Sequence, residues 1–358
     1  MNTPRLEIYP DRIAVNVAYI LQLCHEHGAQ VACVSKVLCA HPALLQVFVD
    51  HGADMLADSR TENLRLIAEY FPDLPRMMLR LPALSTVEEV IRFADYSLNS
   101  SLWTLEVISQ AAEHQNKIHQ VIIMVDVGDL REGVWPDRVV PLVKKVARLS
   151  SIEIAGLGTN LACYGGVIPT RENMYTLIDC RDACRRATGL QLNLLSGGNS
   201  ANLPLLMQGG MPPEINHFRI GEAIILGRNV LDRSPLAGTR QDGLRVVAEV
   251  IEMESKPSIP IGARGQDAFG NQVKFVDRGV RQRALLNMGR QDVDIEGLTP
   301  EDEGIIVLGG SSDHLVLDVS DAHQILHLGD EVAFTPTYSA LLIASTSPYV
   351  EKAVIKGL

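Results

Sequence analysis

The run Val31-Ala32-Cys33-Val34 in QVACVSKVLCAHP leads through Ser35 straight to Lys36. Small and apolar residues in succession read as a strand of a buried sheet, so the question is what an ammonium does where that strand ends. It can simply carry the chain out to solvent. In a partly desolvated mouth it instead loses proton affinity, and the free amine can form a Schiff base with a carbonyl compound. Three further stretches carry candidate chemistry: DVGDLREG with Arg131, TNLACYGG, and the Gly-rich SGGNSAN from Ser196 to Asn202. The last offers free backbone N–H groups, two hydroxyls and a following helix, which together suit a phosphate, although a plain turn uses the same residues. In HFRIGEAIILG, Arg219 is flanked by Phe218 and Ile220, too apolar a setting for an ordinary surface arginine, while Gly221 can serve tight packing alone.

These groups meet only if the elements between them bring them together. From about residue 10 to 230, eight apolar runs read as strands: QVACVSK, ADMLADS, RMMLRLP, DYSLNS, QVIIMVDVGD, EIAGLGTN, LNLLSGGNS and HFRIGEAIILG. Segments of helical spacing separate most of them, such as TENLRLIAEYF, LWTLEVISQAAEHQ and NMYTLIDCRDACRRA. Alternating βα units in this number and length predict a (β/α)8 TIM barrel over residues 1–235, with a doubly wound open sheet as the weaker possibility. On a barrel, active groups come from the carboxyl ends of strands, so Lys36 and the loops after the fifth, sixth and seventh strands share one mouth. Past RNVLDRSPLAG the segments turn short, β-branched and punctuated by Gly, Pro and Asp. They predict a mostly antiparallel β domain over residues 236–358, to which a strand within residues 1–10 is free to add.

The 358 residues are 46% hydrophobic and 21% charged, the composition of a globular chain with a sizeable core. A net charge of -11 argues against nucleic acid and anionic membrane as partners, since both need a basic face. A cationic or zwitterionic small molecule fits better. Six cysteines without CxxC pairing point to a reducing compartment. No basic-then-apolar leader and no long apolar run is present, and the expectation is a cytoplasmic protein.

Taken in order, SKVLCAHP, LADSRTENL, IIMVDVGDLREGV, LACYGGVIP, SGGNSANLP, RIGEAIILGR, KPSIPIGARGQDAFGN, GRQDVDI and SSDHLVLDVSD resemble the fold-type III pyridoxal-phosphate enzymes related to alanine racemase. The resemblance runs through nearly the whole chain. It implies pyridoxal 5'-phosphate as cofactor, carried by Lys36, with its phosphate held by Ser200, Asn199 and backbone around Gly221 and Glu222. It places Arg219 against the pyridine nitrogen. A guanidinium there stays charged and donates to the nitrogen, which discourages ring protonation and makes the ring a weaker electron sink. Fates other than prompt return of the Cα proton are thereby suppressed. Arg131 matches an arginine of the substrate-side polar network and is well shaped for an α-carboxylate. The acids Asp126, Asp129 and Glu132 beside it can pair with that arginine, hold a distal amine, or both.

Two departures from the family pattern stand out. The opposite-face tyrosine of the alanine racemases is missing, since the corresponding stretch reads GARGQDAFG; Asp267, with Asp313 and His314 from SSDH, are the candidates nearby. The phosphate-binding tyrosine after the lysine is also replaced, by Cys39 and Ala40, and Tyr338 is a candidate to compensate. The activity implied is interconversion of L- and D-ornithine by proton removal and return on opposite faces, in a homodimer whose sites are composite. Competing possibilities are racemisation of lysine or another amino acid, decarboxylation of a basic amino acid, and non-catalytic carriage of the cofactor. Arg219 argues against decarboxylation, since that branch places a glutamate at the ring nitrogen. The C-terminal tract of about 115 residues argues against the single-barrel carriers.

Overall fold

The computed structural model describes residues 2–272 and 274–356. Two compact units emerge: Asp11–Gln241 forms one, and the other joins the first ten residues to the tract from Asp242 onward. The chain begins with strand β1 (Arg5–Ile8) of the second unit. Strands β2 (Gln30–Val34), β3 (Met55–Asp58), β4 (Arg76–Met78), β5 (Tyr96–Asn99), β6 (His119–Met124), β7 (Ile152–Gly158), β8 (Leu194–Gly198) and β9 (His217–Ile220) then close a parallel barrel. Closure is the pairing of β9 with β2, in register Ala32 with Arg219 and Cys33 with Ile220. Parallel strands need crossovers, and helices provide them. The helix Leu102–His114 buries Leu105, Ile108 and Ala112, positions that recur at helical spacing, and Ser101 caps it by accepting the Thr104 N–H. The helix Arg171–Thr188 opens with a reciprocal Thr170/Asn173 capping box and stops at Gly189, whose φ of 75° suits a residue without Cβ.

Inside the barrel, Ala32, Val34, Met55, Ala57, Met77, Leu98, Ile122 and Met124 pack into one cluster. The last of the eight expected strands is shorter than the sequence suggested. HFRI forms β9, but Glu222–Leu226 is a helix in which Ala223, Ile224, Ile225 and Leu226 are all buried. An apolar run covered on every side has no period to betray its geometry.

In the second unit β10 (Leu244–Pro257), β11 (Val280–Leu286), β12 (Leu298–Pro300), β13 (Ile306–Gly310), β14 (Leu315–Asp318) and β15 (Glu331–Pro336) pair antiparallel in the order β12-β15-β10-β11-β14-β13. The strand β1 lies antiparallel to β10 and parallel to β16 (Glu351–Val354). Arg5 of β1 reaches both oxygens of Glu331 at 2.6 Å and so ties it to the sheet's far side. Leu6, Ile8, Val246, Ala248, Leu315, Leu317 and Phe334 are buried in this unit. Among the described residues no helix is long and apolar enough to cross a membrane.

Candidate active site

At the end of β2 the chain is clamped before it reaches the lysine. Ser35 is buried, its N–H donates to Ala57 O at 3.0 Å and its hydroxyl to Asp58 Oδ2 at 2.7 Å. Asp58 in turn accepts from Ser59 N at 2.6 Å, Arg60 N at 3.0 Å and Asn63 Nδ2 at 3.0 Å. The following 3-10 turn, Lys36–Leu38, buries Val37 and Leu38 and leaves Lys36 exposed. Cys39 and Ala40 then take φ of 50° and 53°, a region that side chains with a Cβ seldom adopt. Leu130 (φ 56°) and Ala162 (φ 53°) do the same in the loops after β6 and β7. Three loops at the barrel's carboxyl end thus use this region, as do Asn116, Ser151 and Leu192 in the loops that lead into β6, β7 and β8.

Arg219 projects into the barrel interior from β9 and is 5% exposed. Its fork is held from the next two strands, Nη2 donating to Thr159 O at 2.8 Å and Nη1 to the Ser196 hydroxyl. Burial lowers its pKa to about 10, against the pull of Glu132 and Cys163 nearby. It remains a cation at neutral pH. A β-bulge between Ser196 and Gly198 re-aims the end of β8 toward this group.

The loops after β6 and β7 are fastened to each other by a carboxylate. Asp129, 1% exposed, accepts the N–H groups of Cys163 at 3.3 Å, Tyr164 at 3.0 Å and Val167 at 3.2 Å. Burial alone would push its carboxyl up, but these amides outweigh it and hold it below the ordinary value. Of the three acids expected to serve Arg131, only Glu132 forms its ion pair. Asp126 instead accepts from Gly128 N and Leu130 N, shaping the loop's own turn. Gly133 completes that turn at φ 135°, where a Cβ would lie 2.4 Å from Asp126 N.

Opposite lies a Gly- and amide-rich cradle. Asn199 donates to Asn160 Oδ1 at 3.0 Å and Leu161 O at 2.9 Å and comes within 3.1 Å of Cys163 Sγ. The Ser200 hydroxyl accepts the Ala223 N–H at 3.3 Å, linking SGGNSAN to the segment after β9. A Cβ on Gly221 would stand 2.9 Å from Val34 Cβ, and one on Gly198 2.8 Å from Asn202 Nδ2, so both closures depend on glycine. Glu222 is paired with Arg233 and feels the charge of Lys36; burial pushes its carboxyl up. Around the same loops Thr159 Oγ1, Asn160 Nδ2 and Asn202 Oδ1 are buried without a hydrogen-bond partner. Orphaned donors and acceptors of this kind call for a polar ligand. Together with an exposed lysine, a buried cation and the Ser200 hydroxyl, they fit pyridoxal phosphate.

The remaining expected residues lie in the second unit. Asp267 shapes its own loop, accepting from Asn271 N at 2.7 Å and Phe269 N at 2.9 Å, and these bonds keep it ionised below its usual range. Asp313 is exposed and accepts from Gln291 Nε2 at 2.8 Å; His314, also exposed, donates its N–H to Ser311 Oγ at 3.1 Å. Tyr338 is half-buried at the start of the helix Tyr338–Thr346, which Thr337 caps. Sequence reasoning missed Thr159, Asn160, Ser196 as a partner of Arg219, and His217. The signal available for the last two was strand alternation, which puts His217 on the same face of β9 as Arg219.

A parallel barrel with lysine after one strand and a buried arginine on its neighbour defines a class, and comparison with known proteins agrees. The chain belongs to the alanine racemase family: the family description "Alanine racemase, N-terminal domain" matches residues 8–229. Ornithine racemase of Acetoanaerobium sticklandii is 40% identical over 98% of this chain and 99% of its own. Lysine racemase of Thermotoga maritima is 39% identical over 98% of each. Among solved structures, alanine racemase from Bartonella henselae with covalently bound pyridoxal phosphate superposes with a TM-score of 0.74 at 17% identity, covering 98% of this chain and 99% of that one. A D-threonine aldolase from Filomicrobium marinum reaches 0.75 at 15% identity, covering 100% and 92%, which shows that the architecture is shared across different chemistries.

Proposed function

We propose that ornithine is the amino acid this pyridoxal-phosphate-dependent racemase inverts. The observation that supports racemisation is Arg219, a buried guanidinium in register with the strand that delivers Lys36, and the choice of ornithine rests on the similarity to ornithine racemase. Lys36 holds the cofactor and moves the Cα proton on one face. Ser200, Asn199 and the backbone of Gly221 and Glu222 would hold the phosphate, with Tyr338 in support, and Arg219 would donate to the ring nitrogen. When bound, pyridoxal phosphate supplies the electron sink that makes the Cα–H bond acidic. Arg131 takes the α-carboxylate in a bidentate grip, and Asp313 and His314 contribute to the substrate side. On the opposite face the proton group is Asp267. As a carboxylate it takes the proton in one direction of the reaction and, as the acid so formed, returns it in the other. Its loop acts from a second copy of the chain, so the working unit is a homodimer with composite sites. The six free cysteines suit a reducing cytoplasm.

Lysine is the second reading, favoured by a lysine racemase almost as similar as the ornithine racemase. One experiment separates both substrates from each other and racemisation from decarboxylation and from cofactor carriage. The purified holoenzyme is incubated with each L-amino acid in D2O and followed by NMR for Cα deuterium and by chiral chromatography for the D-isomer. Exchange and inversion of ornithine above all others is the expected result; preference for lysine reverses the order. Carbon dioxide release would make the protein a decarboxylase, and a yellow protein without exchange would make it a carrier.

A further inference from the structure

Behind Arg219 lies a histidine–serine contact that the proposed mechanism does not use. His217, two positions earlier on β9 and fully buried, brings Nδ1 to 2.9 Å from the Ser196 hydroxyl, the same oxygen that receives the Arg219 Nη1 bond. The Ser196 hydroxyl has one proton, and a guanidinium can only donate. The serine oxygen has lone pairs for both neighbours, but Arg219 and His217 are the two side chains it meets, and if it accepted from both, its own buried proton would have no acceptor. Donation to a bare His217 Nδ1 pairs every one of these groups. That leaves the imidazole proton on Nε2, where it is buried without a partner. A second proton on this ring would add a charge within reach of the buried guanidinium. Burial and Arg219 both oppose it, and lower the imidazole pKa to about 3.

We propose that His217 and Ser196 are positioning residues: a permanently neutral imidazole fixes the direction of one hydroxyl, and that hydroxyl fixes the guanidinium of Arg219. The arrangement is preorganised, because the polarity that pairs the Ser196 proton also leaves the serine oxygen facing the guanidinium as an acceptor. Two of the five guanidinium N–H groups are engaged by Ser196 and Thr159, which sets the plane of the fork and leaves donors for a ring nitrogen. The inference rests on the reading that Arg219 faces the cofactor ring. It adds that the protein keeps Arg219 from rotating, and so from letting the ring take up a proton.

The test has two arms. In protein labelled with 15N-histidine, with and without cofactor, His217 is expected as the Nε2–H tautomer with no titration between pH 5.5 and 9. An Nδ1–H tautomer, or a midpoint near an ordinary imidazole, overturns the proposal whatever the variants do. In the second arm Ser196→Ala and His217→Phe should lower kcat about tenfold, leave KM within about twofold, shift the cofactor's absorption and raise transamination relative to racemisation. Ser196→Thr and His217→Asn, which preserve a hydroxyl and an acceptor, should recover most of the rate. Unchanged spectra and kcat in the first pair overturn the proposal, as does failure of the conservative pair to rescue folded protein. If Arg219→Glu leaves the cofactor spectrum untouched, the ring-nitrogen reading fails while the tautomer result stands.

Discussion

In the proposed reaction Lys36 and Arg219 divide the work: one amine carries the cofactor and one buried cation faces its ring. Replacing Lys36 by Ala should leave a folded protein with racemisation reduced roughly 10³-fold and no borohydride-reducible link to the cofactor. A reducible adduct in that variant would remove the assignment. For Arg219→Glu the expected outcome is slower inversion, a longer-lived absorbing intermediate and a new transamination product, all read from one stopped-flow and product analysis. The two residues were legible in the sequence for different reasons. Lys36 ends an apolar strand, where an exit to solvent is the common explanation and the family resemblance is what assigns it the cofactor. Arg219 lies between Phe218 and Ile220, a setting foreign to a surface arginine. Ser196 and His217 were not legible, because a serine in a Gly-rich loop and a histidine beside an arginine each have ordinary uses until the register between β8 and β9 is known.

Among the elements, the loop after β6 depends on Asp129 to hold it against the loop after β7. Removing that carboxylate strands three backbone N–H groups, so Asp129→Ala should cost about 2–3 kcal/mol. The sign of its pH dependence follows from a depressed native pKa. Its contribution is complete above the unfolded value near about 3.9 and is lost as pH falls through the lower native value. The stability gap between wild type and Asp129→Ala, from urea unfolding, should therefore be constant near neutrality and close below roughly pH 4. Gly221→Ala tests the neighbouring contact. Its Cβ would meet Val34 Cβ at 2.9 Å, two residues before Lys36, and the variant should lose about 1–3 kcal/mol together with cofactor affinity. Crossover helices could be read from their period, since each buries one face, and barrel strands from short apolar runs, since both their faces are covered. The Asp129 staple could not, because its partners are backbone amides about 35 residues away and amides leave no mark on a sequence.

At the level of the whole molecule, the proposed assembly makes a quantitative statement. If Asp267 acts in trans, chains carrying Lys36→Ala mixed with chains carrying Asp267→Ala should regain activity, because a mixed dimer has one intact site. Random mixing limits the recovery to roughly a quarter of wild type. No recovery after verified subunit exchange would place the second proton group in cis.

The pairing of β1 with both β10 and β16 has a temporal meaning as well as a spatial one. Arg5–Ile8 leaves the ribosome long before either of its neighbours, Leu244–Val247 and then Glu351–Val354. At synthesis rates of about 5–20 residues per second, the leading strand waits roughly twenty seconds to a minute for its second partner. During that time it presents an open edge of alternating polar and apolar residues, RLEI, while everything the barrel needs, from Asp11 to Gln241, has already emerged. The seam between β1 and β16 therefore closes only after the whole barrel unit between them has emerged.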